Sequence, residues 1–193
     1  IVEAYSAKEM FNAVNGELVA ISDTEGIDFE QALDYGRTVG YKNLSSMTFY
    51  DRGEMLKKVA LYLLERKKKY YDLSYKTGAT HADSWVDIEG GFGTFFTYSG
   101  LAKRMLPNTP FWVDGDTQKL GANGTFIGTH ILTPSEGVSV QINAYNFPVW
   151  GMLEKLSTSL LAGVPSIVKP ATPGSYLTNA VFRDMIESGI LPE

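Results

Sequence analysis

The chain has 193 residues, 44% hydrophobic and 20% charged, the balance of an ordinary globular protein long enough to bury one sizeable core. A formal net charge of −5 provides no field to draw in nucleic acid or an anionic membrane, and no apolar run approaches the roughly 18 residues a membrane span needs. Cysteine is absent, which excludes disulfides, thiolate nucleophiles and zinc clusters within these residues.

The chain opens at Ile1 without a methionine, and Ile1 to Met10 lacks the basic start and long apolar stretch of a signal peptide. We therefore expect a cytoplasmic, soluble piece of a longer protein, with no nucleic-acid and no membrane partner. Phe11 to Val14 and Leu18 to Ile21 flank Asn15-Gly16, a pair suited to a type I′ turn, so a hairpin is predicted. Phe29, Ala32, Leu33 and Val39 recur at near-helical spacing, with Asp28 as cap and Gly40 as terminator. From Thr48 a second helix carries Met55, Leu56, Val59, Leu63 and Leu64 on one face and Arg52, Lys57, Lys58 and Glu65 on the other. The basic run Arg66 to Lys69 sits between apolar turns and reads as a solvated helix face.

After Thr77-Gly78, Trp85, Ile88, Phe92, Phe95, Phe96 and Leu101 form an apolar stripe, interrupted by Gly90 and Gly91, that predicts another helix. Residues 107–124, rich in Pro, Gly, Asn and Asp, read as a connection or short irregular strand. Thr125 to Thr133 and Gly137 to Ile142 are predicted strands. Gly151 to Ala162 then forms a helix closed by Gly163, Val164 to Val168 a strand ended by Pro170, and Ser175 caps a last helix running through Met185 to Gly189. Strand, helix, strand, helix with tight connections predicts an α/β chain with a parallel sheet, whose ligands bind beyond the carboxyl ends of the strands.

Two segments meet that rule. In Asn143-Ala144-Tyr145-Asn146-Phe147-Pro148, amides bracket an aromatic at a strand end, and an uncharged amide donor suits an oxyanion hole. A turn amide bonded to its own backbone is the competing reading. Lys169, ahead of Pro170, can offer its ammonium to ribose hydroxyls or phosphate, or can simply terminate a strand in solvent. Gly91-Phe92-Gly93 lacks the third glycine and preceding strand of a dinucleotide fingerprint. His81, Asp83, Asp87 and Glu89 fit no metal-ligand spacing and read as surface charge near a helix terminus, and His130 reads as a strand residue.

Taken together, Asn146-Phe147-Pro148, Ala162-Gly163-Val164-Pro165 and Lys169-Pro170-Ala171-Thr172, with Asn146 and Lys169 separated by 23 residues, resemble the aldehyde dehydrogenase superfamily. The resemblance extends back to the helix around Arg52 and forward through Glu187-Ser188-Gly189-Ile190-Leu191-Pro192. Asp83-Ser84-Trp85-Val86-Asp87-Ile88-Glu89-Gly90-Gly91 and Asn146 through Lys155 are most similar to the branch whose dehydrogenase domain is joined to a hydratase domain in phenylacetate degradation.

The resemblance implies the N-terminal part of the aldehyde dehydrogenase fold: helices over 1–116, a protruding β arm over 117–135 that adds a strand to a neighbouring subunit, and the first βαβα of a Rossmann-like NAD(P)-binding domain over 136–193. It implies an NAD(P)-dependent oxidation of an aldehyde, in that branch a CoA-linked semialdehyde, by a homo-oligomer needing no metal. A general small-aldehyde dehydrogenase, or a non-catalytic binding or oligomerisation remnant, are the alternatives.

By the resemblance, Asn146 is the oxyanion-hole amide. Ile142, Asn143, Ala144 and Tyr145 line the cofactor towards its nicotinamide half, with Tyr145 in place of the more usual tryptophan. Lys169, Ala171 and Thr172 face its ribose. Thr172 stands where many members carry a glutamate that would repel a 2′-phosphate, so NADP is expected to be accepted alongside NAD. The cysteine nucleophile and glutamate base of the family are expected beyond Glu193.

Overall fold

Apolar side chains recurring at three- and four-residue spacing make most of residues 29–105 helical in the computed structural model, which describes residues 7–192. In chain order come β1 (Lys8–Phe11), β2 (Leu18–Ser22), α1 (Phe29–Tyr35), a π-helical turn (Gly36–Gly40), α2 (Tyr41–Ser46), α3 (Phe49–Leu64), α4 (Lys67–Tyr75) and α5 (His81–Met105). Then follow β3 (Trp112–Lys119), β4 (Ile127–Leu132), β5 (Ser139–Ile142), α6 (Pro148–Leu161), β6 (Ser166–Lys169) and α7 (Ser175–Glu187).

β1 and β2 form the expected antiparallel hairpin. Its turn is not type I′, because of the pair only Gly16 has positive φ, at +75°. The Asn15 side-chain oxygen instead accepts the Glu17 N–H at 3.1 Å, a local bond that holds Asn15 in an ordinary conformation. Asp28 caps α1 by accepting from the Gln31 N–H, as expected. Gly40 does not end the helix; the chain passes through the π turn into α2. Added Cβ atoms on Gly36 and Gly40 would lie 2.6 Å from Val138 and 3.1 Å from Pro165, so these glycines serve close packing against the amino ends of later strands.

Thr48 and Asp51 form a reciprocal capping box that starts α3. Arg52 is a correction: rather than lying on the polar face, it is fully buried. Its Nη2 donates to the Pro110 carbonyl at 3.3 Å, its Nε to that of Thr48 at 3.4 Å, and the guanidinium stands 4.5 Å from the Phe49 ring centroid. Nη1 has no hydrogen-bond partner, and burial pulls the group down to about 10. Gly163, at φ +81°, leaves room for that guanidinium, since a Cβ there would lie 2.1 Å from Nη1.

The basic run is not simply solvated. Arg66 stacks 3.4 Å over Tyr62, Lys67 pairs with Glu89 at 3.0 Å, and Lys69 meets Asp184 at 2.7 Å. Tyr70, fully buried, also donates to Asp184, so α4 is tied to α7. The predicted stripe of α5 holds for Ile88, Phe92 and Phe95, whereas Trp85 is exposed. The helix runs unbroken through Gly90 and Gly91, as expected. They let α6 come close: a Cβ on Gly90 would lie 2.7 Å from Trp150 Cε3, and one on Gly91 3.2 Å from the Trp150 main chain. Asp87, expected at the surface, is buried below the start of α6, where it accepts the Trp150 N–H at 2.8 Å. Burial pushes its carboxyl up to about 6 against the opposing pull of the Trp150 and Val149 amides.

β3 is longer than the connection expected there and pairs antiparallel with β4, with an irregularity between Asp114 and Gln118; every β3 residue is exposed. β5 and β6 are parallel, as predicted. Gly163 closes α6 in the left-handed conformation. Ser175 does not cap α7: Gly174 precedes the helix, and the Ser175 hydroxyl turns to Met10 Sδ at 3.2 Å. One core joins these elements, with Leu56 and Leu63 of α3, Phe92 of α5, Met152 and Leu153 of α6 and Val181 of α7 buried together.

Three expected outcomes follow from this packing. Gly163→Ala forces positive φ on a side chain and a methyl into the Arg52 guanidinium, and should destabilise by about 2 kcal/mol or more. Gly93→Ala, in α5 with open space at its Cβ, should stabilise by about 0.5–1 kcal/mol; thermal midpoints measure both. The folded state holds Asp87 at about 6 against an ordinary 3.8, so it takes up a proton that the unfolded chain releases, and this residue's contribution to stability falls as pH rises through that window. Unfolding measured across the window should show Asp87→Asn gaining on the parent by up to about 3 kcal/mol as pH rises.

Candidate functional site

The parallel pairing of β5 and β6 sets Ile142 opposite Lys169, and the Asn143 N–H donates to the Lys169 carbonyl at 3.0 Å. The two segments singled out from sequence therefore leave the sheet side by side at its carboxyl edge, 142–146 from one strand and 169–172 from the other. This is where an α/β sheet places its ligands. Gln141 helps fix the pair by donating to Ser159 at 3.0 Å and Ser166 at 3.1 Å, which ties β5 to α6 and β6.

Along the first segment, Ile142 and Tyr145 are 73% and 72% exposed, and Ala144 and Asn146 are exposed as well. Asn143 is buried, and neither atom of its carboxamide has a hydrogen-bond partner. On the second segment Lys169 is exposed with no ion pair among the described residues, while Ala171 and Thr172 are half-buried. The Thr172 carbonyl accepts the Ser175 N–H at 3.2 Å as the chain turns into α7. An unpaired ammonium beside an open apolar and aromatic surface fits an anionic, ring-bearing ligand such as a dinucleotide. An apolar groove of about 540 Å³, lined by Tyr35, Gly36, Val138, Leu160, Pro165 and Met185 among others, lies at the opposite, amino ends of the strands.

The start of α6 decides where Asn146 stands. Phe147 adopts φ 51°, ψ 55°, the one non-glycine residue at positive φ among those described, a conformation costing roughly 1–2 kcal/mol. It offers no side-chain cap, and Pro148 has no N–H. The Gly151 N–H reaches the Phe147 carbonyl at 2.9 Å, which leaves the Val149 and Trp150 amides to be satisfied from elsewhere. Asp87 on α5 satisfies that of Trp150, and the Val149 amide also pulls on its carboxyl.

Asp87 is the functional-site neighbour that sequence reasoning missed. The signal was its spacing: Ser84, Asp87, Ile88 and Gly91 fall at three- and four-residue steps, and all four are buried. His81, Asp83 and Glu89 are occupied separately, by Tyr71 stacking, the Thr80 cap and Lys67 respectively. No group of three or more His, Cys, Asp or Glu converges among the described residues. Nor is any helix among them long and apolar enough to cross a membrane.

Comparisons with known proteins identify the family and the fold. The Aldehyde dehydrogenase family profile matches residues 3–193. A curated relative, 3,4-dehydroadipyl-CoA semialdehyde dehydrogenase of Aromatoleum evansii, is 37% identical over 180 residues, covering 93% of this chain. The chain spans 35% of that relative's length. Among solved structures, 3,6-anhydro-L-galactose dehydrogenase in complex with NAP superposes with a TM-score of 0.80 at 22% identity, over 97% of this chain and 37% of that one. PnpE in complex with nicotinamide adenine dinucleotide gives a TM-score of 0.80 at 21% identity, over 97% of this chain and 37% of its own. The shared architecture is the N-terminal part of their fold, and with the family match over nearly its whole length the chain belongs to the aldehyde dehydrogenase family.

Proposed function

We propose that the protein carrying this chain oxidises an aldehyde to a carboxylic acid with a nicotinamide dinucleotide, and that its substrate is a CoA-linked semialdehyde of the phenylacetate-degradation type. The observation that supports this most is the single edge formed by 142–146 and 169–172, occurring in a chain 37% identical to a CoA-semialdehyde dehydrogenase. Lys169 would hold the ribose or its phosphate, with Ala171 and Thr172 beside it, and Ile142, Asn143, Ala144 and Tyr145 would line the remainder of the dinucleotide. When bound, that cofactor supplies the hydride acceptor. Asn146 would donate its amide to the aldehyde oxygen as negative charge develops there, an interaction stronger in the transition state than in the substrate.

Thr172 leaves the ribose 2′ position without a carboxylate, which supports acceptance of NADP. The exposed hairpin of β3 and β4, with Phe126, Ile127, Ile131 and Leu132 each more than half exposed, supports a homo-oligomer assembled through residues 117–135. In this reading residues 1–116 and 136–193 form the dinucleotide-binding part.

The test is a steady-state assay of the full-length protein with the CoA-linked semialdehyde against simple aldehydes. Expected is NADP-dependent oxidation favouring the CoA-linked substrate; equal turnover of small aldehydes would make it a general aldehyde dehydrogenase, and no oxidation would overturn the proposal. Asn146→Ala should lower kcat by about 10²–10³. Thr172→Glu should shift preference towards NAD by about tenfold or more, through repulsion of the 2′-phosphate; an unchanged cofactor ratio would remove Thr172 from the site.

A further inference from the structure

We propose that Asp87 is a positioning residue for Asn146, its carboxylate fixing the start of α6 and through it the place of the Asn146 amide. This rests on the reading of Asn146 as donor to the aldehyde oxygen. The segment that carries Asn146 is clamped at two points. On its strand side, the Asn143 N–H is held by the Lys169 carbonyl at 3.0 Å. On its helix side lies Phe147 in the left-handed conformation, followed by a proline and two amides with no local acceptor. Without an acceptor at those amides the first turn of α6 would be free to unwind, and Phe147 could relax to negative φ. Either movement would swing the Asn146 side chain, which has no hydrogen bond of its own to hold it among the described residues.

Asp87 supplies that acceptor from a different helix, buried and at 2.8 Å from the Trp150 nitrogen. The face of α5 around it is shaped for the purpose. Gly90 and Gly91, three and four residues on from Asp87, have no side chain to hold α6 away, and a Cβ on Gly91 would stand 3.2 Å from the same Trp150 nitrogen. A carboxylate and two glycines on one helix face thus grip the main chain that follows Asn146. The negative charge also lies at the positive end of the α6 dipole, where it binds most strongly. Asp87 need not touch substrate or cofactor for this role.

The experiment uses the full-length protein and four variants: Asp87→Ala, Gly91→Ala, Asn146→Ala and the Asp87→Ala/Asn146→Ala double. Asp87→Ala, which removes the acceptor, is expected to lower kcat about tenfold while the dissociation constant of the dinucleotide, read by fluorescence titration, stays within about twofold. Gly91→Ala presses on the same amide without altering the carboxylate, so it should reproduce the kcat loss and serves if the Asp87 variant fails to fold. The decisive reading is the double variant, expected to be no slower than Asn146→Ala alone, because a misplaced amide and a missing one are the same defect. Losses that multiply would overturn the positioning role and leave Asp87 a general structural residue. An unchanged kcat in Asp87→Ala would do the same. Full activity in Asn146→Ala would overturn the reading of Asn146 itself, and the proposal with it.

Discussion

The close crossing of α5 over the start of α6 is the constraint on which the remaining architecture turns. Helices normally stand apart by the thickness of their side chains. Here Gly90 and Gly91 remove that thickness at one point, and Asp87 fills the resulting contact with a charge aimed at main-chain amides. Two mid-helix glycines weaken α5 by about 1 kcal/mol each, and a buried carboxylate adds a desolvation cost. Those costs are offset by a helix start fixed without help from its own sequence. From that start the chain runs back through Phe147 and Asn146 into β5, and forward through the Val149, Met152, Leu153 and Leu156 face into the shared core.

The carboxyl edge acquires its character from the same arrangement. β5 and β6 contribute only four residues each, too few to hold two loops in place by pairing alone. The helix following each strand does the rest: α6 is held by α5, and α7 by Tyr70 and Lys69 through Asp184. Loops at the edge can therefore remain open, with Ile142, Tyr145 and Asn146 facing outward, because their ends are anchored in buried helices. A rigid frame around exposed polar groups is the condition under which such groups can select a ligand.

Much of this was legible in residue patterns. The alternation of apolar strand and amphipathic helix after Gly137 predicted the parallel pair, and parallel pairing brings strand ends together, so the meeting of 142–146 with 169–172 followed. Arg52 and Asp87 were misplaced because their charge outweighed their position: Arg52 precedes Met55 and Leu56 by three and four residues, as Asp87 precedes Gly90 and Gly91, and both spacings pointed inward. The π turn at Gly36–Gly40 and the turn at Asn15 depended on something local pattern does not hold. In the first it is contact with Val138 and Pro165, over a hundred residues away; in the second it is one side-chain hydrogen bond. Phe147 belongs with these, since no residue preference announces a left-handed phenylalanine.

Arg52 carries a consequence of a different kind. Its guanidinium lies where parts of the chain distant in sequence meet, Pro110, Pro134 and Gly163, and it donates to the Pro110 and Thr48 carbonyls with no contacting carboxylate among the described residues. When such a junction opens, the apolar side chains around it lose their contacts, yet the cation regains water, which offsets part of the cost of opening. The seam at which the helical part, the base of the hairpin and the end of α6 meet is thereby held by main-chain carbonyls and packing, with no opposite charge to neutralise the cation among the described residues.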